Sequence, residues 1–152
     1  MSKIKSFRGM MTNGTQDVVS LHTNNGSIGY RIKDFKIISK SPGASSEEDV
    51  VKIFSTPQVV SDINANIDFS DRTLLGVAFA GVNAGAWYAS ENIIFDNVTF
   101  NQDIYITFKK DAGSSPVNYY IELEQFAIDL TENTTATLRD IRNIKGGLFP
   151  TP

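Results

Sequence analysis

Glu122 and Glu124 stand two positions apart in the stretch PVNYYIELEQFAIDL, residues 116–130. They are the first acids to test for paired-carboxylate chemistry. General acid–base work needs one carboxyl desolvated in a pocket, so that its pKa rises towards neutrality. A separation of two along an extended chain points both side chains the same way, about 7 Å apart. They share that side with Tyr120 and lie opposite Tyr119, Ile121 and Leu123. Charge on the polar side of a half-buried strand is the ordinary arrangement, so the sequence predicts two solvated acids. A glycoside hydrolase using Glu122 needs a second carboxyl facing it across a groove, and nothing in the sequence places one.

The other chemically capable residues fare no better. His22 is the single histidine and there is no cysteine, which leaves neither a thiol nucleophile nor a His/Cys zinc set. No Gly-x-Ser-x-Gly elbow accompanies the histidine. The segment DINANIDFSD, residues 62–71, sets Asp62, Asn64, Asn66 and Asp68 at positions 1, 3, 5 and 7 of a calcium loop. Ile67 then falls where glycine is needed and Thr73 where a bidentate glutamate is needed, so the motif fails, and its oxygen ligands leave a surface calcium site of another kind as the alternative. The expectation is a polar connection whose Ile63, Ile67 and Phe69 tuck under a sheet. AGVNAGAWYAS, residues 80–90, has neither the dinucleotide nor the P-loop glycine spacing. Its Trp87 and Tyr88 have the character of a turn feeding a core strand, or of exposed rings that stack on a sugar or on another chain. No enzyme activity, cofactor or metal is expected.

These residues must be carried by extended chain. DIYITFK, residues 103–109, alternates Ile104, Ile106 and Phe108 with Tyr105, Thr107 and Lys109. Segments 17–23, 29–39, 49–56, 74–81, 87–95 and 116–130 are likewise rich in β-branched and aromatic residues, and polar or glycine-bearing turns separate them. The prediction is all-β: an antiparallel β-sandwich or jelly roll of about eight strands. In two strands the apolar set slips by one residue, between Ile32 and Phe35 and near Glu124-Gln125. A β-bulge would let each keep its apolar side inward. TENTTATLRDIRNIKGG spaces Leu138, Ile141 and Ile144 by three and predicts a short C-terminal helix from about 135 to 145, with a final β-strand as the alternative. Residues 1–152 therefore read as one domain, with an N-terminal arm or edge strand over about 1–14 and a helix plus tail over about 134–152.

Ten Phe, five Tyr and one Trp supply a core of ordinary size for 152 residues. The net charge of −3 is unevenly spread. Residues 1–40 hold seven Lys/Arg against two acids, whereas residues 41–132 hold four against fourteen. That separation suits head-to-tail contacts between copies. The acidic whole does not favour nucleic acid, and no apolar run is long enough for a membrane helix. MSKIKSFRGMMTNG lacks the apolar core of an export signal, so synthesis and retention in a cytoplasm are expected.

In overall character the chain resembles small virion structural proteins of tailed bacteriophages. The likeness rests on the cysteine-free β-rich composition, the Asn/Thr/Gly-rich loops, the basic SKIKSFRG and the terminal TLRDIRNIK. It implies a non-enzymatic capsid decoration, cement or tail component that assembles in multiple copies on a virion. The likeness assigns no residue; the arm itself offers Ile4, Phe7, Arg8 and Met10 as contact residues against an acidic body, the partners being other copies and other virion proteins. The rival expectation is a carbohydrate-binding β-sandwich that presents Trp87 and Tyr88 to a glycan.

Overall fold

In a computed structural model, residues 3–21, 27–42, 46–83, 86–95 and 98–128 are described, without the side chains of 82, 83 and 86–89. Eight antiparallel strands form two sheets: β1 (Lys3–Met11), β2 (Thr15–Val19), β3 (Ile28–Ser39), β4 (Ser46–Phe54), β5 (Leu74–Asn83), β6 (Ala86–Ile94), β7 (Ile104–Ala112) and β8 (Val117–Ala127). The only helical turn among the described residues is a 3₁₀ turn, Val60–Asp62. The smaller sheet has the order β1-β8-β3 and the larger β2-β7-β4-β5-β6.

Period-two alternation sends one side of each strand into a shared core. Phe35, Ile121 and Leu123 of the small sheet pack in one cluster with Val51, Ile53, Ile104, Ile106 and Phe108 of the large one. Each such side chain stabilises the fold by about 1.5–3 kcal/mol relative to exposure. Two of the crossings between layers, β1 to β2 and β7 to β8, are glycine turns with positive φ, Gly14 (79°) and Gly113 (92°), a backbone that side-chain-bearing residues rarely adopt. A cross-layer bond ties one corner. The Tyr119 ring lies where a Cβ on Gly9 would stand, at 2.8–2.9 Å, and its hydroxyl donates to Asp17 Oδ2 at 3.0 Å.

The expected bulge in β3 is present. Ile32 pairs with Leu123 and Asp34 with Glu122, so Lys33 is the extra residue and Tyr30, Ile32 and Phe35 all reach the interior. The bulge expected in β8 is absent. Both ladders run unbroken through Glu124 and Gln125, and Phe126 consequently falls on the outer side. There the Arg31 guanidinium covers its ring, 4.5 Å from the centroid, and half-buries it by a cation–π contact.

β4 stops alternating after Glu48: positions 49–54 are buried on both sides. Val51 and Ile53 face the core, while Lys52 and Phe54 face a long β4–β5 loop, residues 55–73, folded back over the outer side of the large sheet. Lys52 Nζ donates to Asn66 O at 2.8 Å, and Gln16 of β2 exchanges hydrogen bonds with Gln58 of the loop at 3.2 and 2.8 Å. The expectation that Ile67 and Phe69 tuck under the sheet is corrected. Both are exposed, Phe69 resting edge-on against Phe95 with ring centroids 5.1 Å apart. Lysine and amide groups, rather than those apolar side chains, hold the loop down.

Segment 3–11 is a paired edge strand, bonded to β8 along its whole length. The expected C-terminal helix lies outside the described residues.

Candidate functional site

The outer side of the small sheet is uncovered among the described residues. The register sets its outward side chains in rows: Met10, Asn118 and Ile38; Arg8, Tyr120 and Lys36; Ser6, Glu122 and Asp34; Ile4, Glu124 and Arg31. Ile4, Met10, Ile38 and Tyr120 are exposed apolar or aromatic groups, Ile38 at 63%. A shallow concavity lies over Arg8, Lys36, Ile38 and Tyr120. The acids of this face have partners within it. Arg31 Nε donates to Glu124 Oε1 at 2.5 Å, the Tyr120 hydroxyl donates to Glu122 Oε2 at 2.8 Å, and Lys36 Nζ lies 3.3 Å from Asp34. The bond to Glu122 is the chief reason that the Tyr120 hydroxyl is held above its ordinary pKa. Arg8 and Lys36 therefore stand beside apolar groups, and the end nearer Met10 is cationic.

Three of the four contact residues expected from the N-terminal segment, Ile4, Arg8 and Met10, share this face. Phe7 does not, because its position in the alternation turns it towards the core against which it packs. Trp87 and Tyr88 lie on β6, but their side chains are outside the described set. Glu122 and Glu124 occupy the outward side predicted for them. Asp34 stands across from Glu122 in the register, and the Tyr120 hydroxyl and the Lys36 ammonium are the respective partners of Glu122 and Asp34.

The opposite outer side carries the β4–β5 loop. Val59, Val60, Ile67 and Phe69 are exposed on it, interspersed with exposed Asp62 and Asp68. Beneath the loop is a cavity of about 350 Å³ lined by Lys52, Phe54, Asp62, Asp68, Leu74 and Thr107 among others. Lys52 Nζ lies among the loop oxygens where the failed calcium motif would have held a cation, and it also comes within 3.5 Å of Asn64 Oδ1.

A third polar cluster sits inside the sandwich. Lys110 of β7 contacts both Glu47 and Asp49 of β4, and all three are buried. Desolvation raises the pKa of Asp49, reinforced by the Glu47 charge and only partly offset by Lys110. Desolvation also pulls Glu47 upward, but hydrogen bonds from Lys110 and Ser115 and the ammonium charge outweigh it, so its pKa is lowered. A Cβ on Gly113 would stand 2.6 Å from Ser46 O and would collide with the Glu47 carboxylate. Glycine at 113 thus leaves room for the acid. Sequence reasoning missed this triad, although the consecutive apolar pairs Val50-Val51 and Ile53-Phe54 signal a strand buried on both sides.

No protein-family model matches the sequence, and no curated protein matches it.

Proposed function

We propose that the protein is a non-enzymatic structural component of a tailed-phage particle, a head decoration, cement or tail-associated protein that assembles in multiple copies. One observation carries the reading. Among the described residues the ten exposed large hydrophobics fall on two opposite outer sides: Ile4, Met10, Ile38 and Tyr120 on one, Val18, Val59, Val60, Ile67, Phe69 and Ile93 on the other. At its Met10 end the first set is accompanied by Arg8 and Lys36, with Asp34, Glu122 and Glu124 in the rows beyond, and the second set by Asp62 and Asp68. Apolar patches with opposite charge on opposite sides of one molecule fit a heterologous contact, in which the small sheet of one copy meets the loop of the next. The expected C-terminal helix belongs to the same proposal as a further contact element.

The strand orders support a jelly-roll reading of the fold. β1-β8-β3 and β2-β7-β4-β5 are the neighbours that two Greek keys produce; β6 pairs with β5 and also touches β3, beside which a jelly roll would place it. Jelly rolls are frequent in viral shells and in lectins.

The test is charge reversal with compensation. Light scattering after size-exclusion chromatography should show concentration-dependent self-association of the wild-type chain. The double variant Arg8→Glu, Lys36→Glu should lose it, as should Asp62→Lys, Asp68→Lys, and mixing the two variants should restore heteromers. A chain that stays monomeric throughout, with both variants incorporated into particles at wild-type occupancy, sinks the proposal.

A further inference from the structure

We propose that the cavity beneath the β4–β5 loop binds one neutral, hydroxyl-rich ring of monosaccharide size. Its volume, about 350 Å³, is at the small end of ligand pockets. The decisive observation is on its floor. Thr107 is 1% exposed, and its hydroxyl oxygen has no hydrogen-bond partner. The large majority of buried side-chain polar atoms are paired, and an unpaired one calls for a partner or a reason. Unlike Gln125 Oε1, which is also without a hydrogen bond, the Thr107 hydroxyl belongs to a residue that lines a cavity able to hold such a partner. Beside Thr107 the floor is part polar, from Lys52, and part apolar, from Phe54 and Leu74. The rim carries the carboxylates of Asp62, Asp68 and Asp71.

This set of groups selects the ligand class by exclusion. An anion would meet three carboxylates at the rim. A divalent cation would meet the Lys52 ammonium, already bonded to Asn66 O, and no group of three or more metal-binding side chains occurs among the described residues. A purely apolar ligand would seal the ammonium and the Thr107 hydroxyl away from any partner. A polyol satisfies every wall. Its hydroxyls donate to the carboxylates and accept from Lys52 and Thr107, while one face of its ring covers Phe54 and Leu74.

The site does not depend on the assembly reading. It shares Asp62 and Asp68 with the proposed contact, so the experiment turns on Thr107, which lies under the loop and takes no part in that contact. Saturation-transfer NMR of the full chain against a panel of free hexoses and N-acetylhexosamines should detect at least one binder. The near-isosteric Thr107→Val should weaken that sugar about tenfold, the effect of losing one hydrogen bond in a dry site, without lowering the melting temperature. Asp68→Asn, a rim change that leaves the floor intact, should weaken it as well. Inorganic phosphate and calcium ion, tested alone, should give no signal. Absence of any sugar signal, equal affinity in Thr107→Val, or binding of phosphate or calcium in place of sugars would overturn the assignment.

Discussion

The two outer sides of this sandwich have been treated differently by the same chain. The large sheet has a loop folded over it, and the small sheet has none among the described residues. Under the loop, Lys52, Thr107 and Phe54 are buried, and an ammonium is fixed by backbone and amide oxygens. On the uncovered side, ion pairs and hydroxyl–carboxylate bonds lie open to water, and aliphatic side chains stand unpacked between them. The lesson is that a charged residue on a β-strand contributes according to what lies above it rather than according to its own chemistry. A cover makes the polar group structural; without one it is nearly free to change.

Substitutions graded by burial can break or sharpen this contrast. The largest effect is expected between the layers, where the Lys110 side chain is 1% exposed. Lys110→Met leaves two buried carboxylates without their cation and should cost about 3–5 kcal/mol in urea unfolding. A loss under about 1 kcal/mol would show that water reaches the cluster freely. Next, Lys52→Met removes the donor that holds Asn66 and should cost about 1–3 kcal/mol, with faster proteolysis within residues 55–73. On the open side, a double-mutant cycle between Arg31 and Glu124 should yield only about 0.2–1 kcal/mol, since the Arg31 side chain is 35% exposed. Smallest of all, Lys36→Ala and Ile38→Ser should stay within about 0.5 kcal/mol of wild type. A large loss from either would mean that the bare face is covered after all.

The interior triad also makes a prediction about pH. Glu47 has a lowered pKa in the fold, so its contribution is present above the ordinary carboxylate range and lost as pH falls through the lowered value. Asp49 has a raised pKa, so its ionisation costs stability as pH rises from its ordinary value through the raised one. Asp49→Asn should therefore flatten the decline of stability with rising pH in that upper window, leaving the acid-side loss due to Glu47 intact. Unfolding curves between roughly pH 3 and 7 would resolve the two arms. An unchanged upper arm in the variant would assign the effect elsewhere.

Alternation along single strands was readable, because the identity of each residue reports which side meets the core. Ile104, Ile106 and Phe108 are all fully buried, and the bulge at Lys33 showed itself as a one-residue slip in the apolar series. The same slip in β8 misled, since Phe126 is covered by a guanidinium on the outer side rather than by the core, and sequence spacing cannot tell those two shelters apart. What alternation could not show was anything that required knowing which strands are neighbours. The Glu47–Asp49–Lys110 cluster joins residues some sixty positions apart, and the loop that covers Lys52 has no periodic signature. The outward rows of the small sheet likewise came into view only when β1 and β3 were found on either side of β8. The N-terminal segment alone points to Ile4, Arg8 and Met10 only together with Phe7, which packs against the core, and it says nothing of their companions Ile38 and Tyr120.

One small contact has a larger consequence. Asn92 of β6 donates its side-chain amide to Phe35 O at 2.8 Å, and Tyr30 and Phe100 bridge their backbones at 2.8 and 2.9 Å. Both lie on the flank of β3 away from β8, so that margin is stoppered at two points. The far flank of β1 bears no such plug among the described residues. Among the described residues, a visiting strand would therefore find only the β1 margin open, and a series built by such joining would have a front and a back.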